Sequence, residues 1–191
     1  MAALGIGILG SGNGTNCRAI LERIREGSLC AEARVVISDV FDSRILHIAR
    51  EFGVPNAYLP PGSFKTKLAV DAEDALVRML RDSAVELVVL AGFMRLLKAP
   101  VLTAYAGRIL NIHPSLLPKF PGLEAWKQAL AAGETVTGCT VHYVDAGVDT
   151  GEIIAQREVA ILPNDTAESL HERIQLAEHA LYPEAISRFC E

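Results

Sequence analysis

Residues 4–16, Leu4-Gly5-Ile6-Gly7-Ile8-Leu9-Gly10-Ser11-Gly12-Asn13-Gly14-Thr15-Asn16, decide the fold. The short apolar run reads as a buried strand, the glycines as a tight turn, and Thr15-Asn16 opens a stretch of helical period. A strand that feeds a glycine turn and then a helix begins a parallel α/β sheet. Its backbone N–H groups and the helix N-terminus can hold an anion with no basic side chain. Gly12, Asn13, Gly14, Thr15 and Asn16 are therefore a candidate phosphate loop, with a tight turn that binds nothing as the plain alternative. Gly5-x-Gly7-x-x-Gly10 also spells the dinucleotide pattern, and Asp39 falls where a ribose-binding acid would stand. That pattern needs its glycines in the turn, whereas Gly5 and Gly7 lie inside the strand, where they permit close packing.

Outward from this unit, short apolar runs alternate with helical stretches, the pattern of a parallel sheet covered on both faces. Strands are expected at 4–10, 33–38, 86–91 and 108–112, with a weaker one at 56–59; helices are expected at 15–26, 43–52, 66–82, 123–132 and 166–190. Asn164, Asp165 and Thr166 are candidate caps for the last helix, with Glu168 returning a hydrogen bond and Pro183 kinking or interrupting it. Segments 136–144 and 152–161 alternate like two half-buried strands joined by an Asp- and Gly-rich turn, which adds an antiparallel C-terminal section. The expected fold is thus a doubly wound, mostly parallel sheet with helices on both faces.

The 191 residues suit a single domain, and 50% hydrophobic with 21% charged residues is a globular composition. A formal charge of −5 and the lack of any Lys/Arg run argue against nucleic acid and favour a small-molecule partner. The apolar start lacks a basic region and a cleavage site and passes into the glycine turn, so no membrane span is expected. Cys17, Cys30, Cys139 and Cys190 show neither a C-x-x-C pair nor zinc spacing, which suggests small buried or idle residues in a reducing, cytoplasmic setting.

Chemistry concentrates in Asn111-Ile112-His113-Pro114-Ser115 and in Asp149, 36 residues beyond His113. Asn111 and His113 stand two apart at a strand end, so both side chains leave the same face. An amide donates to a developing oxyanion, a charged imidazole donates more strongly and can pass on a proton, and a carboxylate stabilises the imidazolium and raises its pKa. Taken singly, each has a plain reading: a turn cap, a packed polar residue, the start of a glycine turn. Together at the carboxyl edge of an open sheet, beside a phosphate loop, they point to acyl transfer.

The strings GSGNGTN, LAGFMRLL, NIHPSLLPKFPG, VHYVDAGVDTGEII and QLAEHALYP, in this order, resemble the phosphoribosylglycinamide formyltransferases over nearly the whole chain. The resemblance implies formyl transfer from 10-formyltetrahydrofolate to the amine of glycinamide ribonucleotide, without a metal, in a formyltransferase-like variant of the Rossmann fold. It implies a single domain, with a nucleotide-binding half at about 1–100 and a folate and catalytic half at about 101–191. Asn111, His113 and Asp149 match the catalytic trio; Gly12, Asn13, Gly14, Thr15 and Asn16 match the ribonucleotide loop, and Glu178 the carboxylate that grips the ribose hydroxyls. Met94, Arg95, Leu96, Leu97, Asn111, Val144, Asp145 and Asp149 match folate contacts. Lys67 stands where the family often has an arginine near the folate tail, and Gln175 where some members place a basic residue near the phosphate. A monomer and a homodimer are equally compatible.

Related formyltransferases act on methionyl-tRNA or sugar nucleotides, and a hydrolase version releases formate; the tRNA and hydrolase forms carry additional domains. From other classes, an NAD-dependent oxidoreductase would require the glycine pattern to be real. A module that only senses a phosphorylated metabolite would use the loop alone.

Overall fold

The computed structural model describes residues 3–190. Strands β1 (Leu4–Leu9), β2 (Ala31–Ser38), β3 (Asn56–Tyr58), β4 (Leu87–Leu90), β5 (Ile109–His113), β6 (Val136–Tyr143) and β7 (Ile153–Ala160) form one sheet in the order β3-β2-β1-β4-β5-β6-β7. The first five are parallel, and β6 and β7 add antiparallel pairings. This is the doubly wound, mostly parallel sheet expected. The order reverses at β1, so a crevice opens beyond the carboxyl ends of β1 and β4.

Parity along the strands assigns the two faces. Ile6, Ile8, Leu87, Val89, Leu110, Ile112, Cys139 and Val141 pack in one core with α1 (Thr15–Arg25), α2 (Arg44–Glu51) and α6 (Ala167–Ser187). Leu9, Val88, Leu90 and Ile109 pack on the other face with α3 (Val70–Asp82) and α4 (Ala99–Ala104). Gly5 and Gly7 serve packing as expected: a Cβ on Gly5 would lie 2.8 Å from the Ala84 carbonyl, and one on Gly7 2.8 Å from Leu80. Cys17 and Cys139 are buried, and burial pushes both thiols up to about 12.

Several boundaries differ from expectation for local reasons. The helix expected from 66 begins at Val70, because Lys67 instead forms a bridge with Leu96. Helix α4 was not anticipated: its six residues show no full period, although Pro100 at the first turn is a start signal. In α6, Thr166 is the cap, but Ser169 rather than Glu168 completes the capping box. The helix also runs through Pro183 without interruption. Helix α5 (Ala125–Ala131) lies within its expected span.

Candidate active site

Asn111 and His113 project from the end of β5 on the same face as Ile109, and β6 sets His142 opposite Asn111 and Thr140 opposite His113. A carbonyl only accepts, so His142 donates Nδ1–H to the Tyr143 carbonyl at 2.8 Å, and in that tautomer its Nε2 accepts from the Asn111 amide at 3.1 Å. That pins the Asn111 carboxamide and leaves its second N–H for a ligand. Sequence reasoning missed His142. Its signal was the VHYV alternation, which places it on the face of Asn111 once β5 and β6 pair.

His113 is buried at 4% exposure. Its Nε2–H donates to the Phe120 carbonyl at 2.8 Å, and its Nδ1 lies 3.3 Å from Asp149 Oδ2. Loop 114–120 is held by side chains from the next strands. Thr140 donates to the Ser115 carbonyl at 2.7 Å and accepts from Leu117 N–H at 3.0 Å, while Gln156 donates to both Thr140 Oγ1 and the Leu117 carbonyl at 2.9 Å. His113 is thus bracketed by two acceptors on a fixed frame. Burial holds its pKa below the usual histidine value, outweighing the upward pull of the Phe120 carbonyl and Asp149, while His142 adds to the depression. The expected contribution of Asp149 is present, but the net direction is downward.

Asp149 arrives on a tightly wound loop. Asp145 accepts from Gly147 N–H at 3.0 Å and Thr150 Oγ–H at 2.7 Å, and Asp149 itself has a left-handed φ of 53°. Burial acts to raise its pKa, but His142, the Gly122 N–H at 2.8 Å and His113 together hold the carboxyl below the usual range. His142 Nε2 lies 3.6 Å from Asp149 Oδ1, so one carboxylate faces two imidazoles.

Asn111, His142 and Asp149 line a cleft with Leu90, Phe93, Arg95, Leu96, Leu97, Val144, Asp145, Gly147 and Val148, and His113 adjoins it through Asp149 at 3.3 Å. Of the residues expected to contact folate, Arg95, Leu96, Leu97, Asn111, Val144, Asp145 and Asp149 do line it; Met94 and Lys67 do not. Met94 is exposed and donates its N–H to Ser11 Oγ at 2.9 Å. Lys67 touches the cleft wall only through its bridge to Leu96, and its ammonium lies 4.3 Å from the centre of the Phe64 ring. Leu90, Phe93, Gly147 and Val148 were not singled out, because they read as ordinary strand and turn residues.

The glycine loop lies at the same edge, on the opposite face. Leu9, Leu90, Asn111 and His142 occupy one row across β1, β4, β5 and β6. At about 4.8 Å per strand the loop after β1 stands about 10 Å from Asn111. Gly14 caps α1 with a φ of 70°, and a Cβ there would also lie 2.9 Å from Ile45 Cα. Gly12 and Asn13 are exposed. Asn16 donates to Glu178 Oε2 at 2.9 Å, while its own buried carbonyl oxygen has no partner. Burial pushes Glu178 up to about 7 against the lowering effect of Asn16. Gln175, one turn earlier on α6, contacts His171 at 3.4 Å. Asp39 is not free for a ribose, as a dinucleotide would require: it accepts from Ser11 at 2.5 Å and from Arg95 at 2.7 Å.

A doubly wound sheet with amide, imidazole and carboxylate gathered at its carboxyl edge is an acyl-transfer scaffold, and residues 5–186 match the formyl transferase family. The chain is 44% identical over 181 residues to the phosphoribosylglycinamide formyltransferase of Bacillus subtilis (strain 168), covering 95% of this chain and 92% of that protein. It therefore belongs to the phosphoribosylglycinamide formyltransferase family. It is also 47% identical to the trifunctional purine biosynthetic protein adenosine-3 of Drosophila pseudoobscura pseudoobscura, of which it spans 13% of the length. The crystal structure of glycinamide ribonucleotide transformylase 1 from Symbiobacterium toebii superposes with a TM-score of 0.93 at 50% identity, covering 98% of this chain and 88% of that one. The phosphoribosylglycinamide formyltransferase structure from Bacillus Halodurans gives 0.91 at 43%, covering 97% and 94%.

Proposed function

We propose that this chain transfers the formyl group of 10-formyltetrahydrofolate to the primary amine of glycinamide ribonucleotide, giving formylglycinamide ribonucleotide and tetrahydrofolate in purine (IMP) biosynthesis. The observation that carries the catalytic assignment is the meeting of Asn111 and Asp149 on one cleft with His113 paired to Asp149 beside it, the amide held by His142 and the imidazole by the Phe120 carbonyl. The phosphate of the ribonucleotide sits on Gly12, Asn13, Gly14, Thr15 and Asn16, with Gln175 nearby and Glu178 on the ribose. The pterin lies along the Met94-Arg95-Leu96-Leu97 segment with Val144 and Asp145, and Lys67 lies toward the folate tail. The ribonucleotide loop belongs to the half at 1–100 and the catalytic trio to the half at 101–191 of a single domain, while the folate wall draws on both. No metal takes part; the setting is cytoplasmic and the assembly a monomer or homodimer.

The neutral amine attacks the formyl carbon, and the formyl oxygen takes negative charge as a tetrahedral intermediate forms. The second N–H of Asn111 donates to that oxygen, and His113, once protonated, offers it the Nδ1–H on the Asp149 side while Nε2–H stays on the Phe120 carbonyl. Charge building there raises the proton affinity of an imidazole that burial depresses in the free protein, so the imidazolium forms as the oxyanion does. The proton the ring takes up is the one shed by the attacking amine, relayed through water beside Asp149; Asp149 stabilises the imidazolium, which then gives that proton to the departing folate nitrogen. The bond from carbon to that nitrogen then breaks.

The test is purified protein with 10-formyltetrahydrofolate, with and without glycinamide ribonucleotide, followed by ultraviolet absorbance and by mass of the product. Folate turnover that requires the ribonucleotide, with the formyl recovered on its amine, is the expected result. Formate released without it would assign a hydrolase; no turnover with either would overturn the reading.

A further inference from the structure

Asp39 lies at the carboxyl end of β2, outside the proposed chemistry, yet it is one of the few charged groups taken out of water, at 4% exposure. One oxygen accepts from Ser11 Oγ–H at 2.5 Å and the other from Arg95 Nε–H at 2.7 Å. Ser11 immediately precedes the ribonucleotide loop, and its hydroxyl oxygen also accepts from Met94 N–H at 2.9 Å. Arg95 belongs to the folate wall, and its guanidinium reaches on to the carbonyls of Phe64 and, at 2.8 Å, Lys65. Ser11 N–H completes the knot on the Gly92 carbonyl at 3.0 Å.

A single carboxylate therefore ties three loops together at the crevice where strand order reverses. The ribonucleotide loop approaches from the α1/α2/α6 face and the folate wall from the α3/α4 face. Releasing the folate wall breaks the buried Asp39–Arg95 ion pair, and releasing the ribonucleotide loop takes the Ser11 hydroxyl from the same carboxylate; either leaves a buried charge short of a partner, which is costly in a low-dielectric setting. A ligand that orders one loop thus supplies part of the ordering the other ligand needs, which is positive coupling even without a change of shape.

We propose that Asp39 is a positioning residue that couples the two substrate subsites, so that ribonucleotide and folate each tighten the binding of the other. This rests on the function proposed above. Titration calorimetry with glycinamide ribonucleotide and with tetrahydrofolate, which cannot react with each other, measures each Kd alone and with the partner present. In the parent, each ligand should tighten the other about fivefold or more, the usual range of such coupling. In Asp39→Asn the ratio should fall below about twofold of unity, and Ser11→Ala, which cuts one arm and keeps the ion pair, should lie between.

A merely structural role would weaken both single-ligand affinities and leave the ratio intact. An unchanged ratio in both variants, or no coupling in a parent that saturates with both ligands, overturns the inference while leaving the function standing. A parent that binds neither ligand overturns both. If Asp39→Asn does not fold by circular dichroism, the Ser11→Ala ratio decides.

Discussion

Nδ1 of His113 faces the Asp149 carboxylate at 3.3 Å, while Nε2–H of the same ring is committed to the Phe120 carbonyl. A neutral ring in this pose turns a lone pair toward a carboxylate, so the pair is short of one proton, and the Asp149 carboxyl is held below its usual range. The proton gained during reaction therefore belongs on the imidazole. His113→Asn and Asp149→Asn should each lower kcat by about a hundredfold or more, about 3 kcal/mol of barrier. Because the two act as a unit, the double variant should be little worse than the poorer single one. Steady-state kinetics on the three variants checks this; retention of activity within a few-fold of the parent would remove the assignment.

Glu178 gives the ligand-free protein a pH-dependent stability. Its folded pKa of about 7 lies above the ordinary 4.5, so the folded state binds the extra proton. Its contribution is complete below pH 4.5 and is lost as pH rises through about 7, amounting to about 3 kcal/mol. His113 works in the opposite sense: its pKa is depressed from 6.5, so its contribution is present above that value and lost as pH falls below it. The difference between parent and Glu178→Gln isolates the first effect. Urea titrations from pH 5 to 8 should show that difference widening with pH, in favour of the variant.

Gly151 decides whether Asp149 can reach the site. A Cβ at 151 would fall 1.7 Å from the Tyr143 carbonyl oxygen, so Gly151→Ala has to push the 144–151 loop away from β6. We expect a cost of about 1–3 kcal/mol in stability. Turnover should fall by at least about tenfold as the carboxylate leaves hydrogen-bond geometry. Chemical denaturation and kinetics on the same sample separate the two effects.

Tyr182 anchors α6 to the sheet from below the catalytic row. Its fully buried hydroxyl donates to the Leu90 carbonyl at 2.9 Å and the Leu110 carbonyl at 3.0 Å, the residue before Asn111. Tyr182→Phe keeps the ring and removes this donor from both acceptors. Stability should fall by about 1–3 kcal/mol, read from the urea midpoint at unchanged m-value.

The amino-acid sequence by itself determined the strands, the glycine turn and the pairing of Asn111 with His113. Each depends on local periodicity: an apolar run in an α/β chain is buried whichever neighbour covers it, and residues two apart on a strand share a face. It also carried five ordered motifs specific enough to place the family. Tertiary structure alone decided what those residues face. His142 enters the site only because β6 pairs antiparallel with β5 in a register that sets it opposite Asn111. Asp39, which the glycine pattern offers to a ribose, is taken instead by Arg95, 56 residues away. The net pKa of His113 is likewise a sum over burial and the partners Phe120, Asp149 and His142, which three separate segments supply. Such contacts depend on register and long-range packing, which no local period encodes, and they set which donors and charges remain free for a ligand.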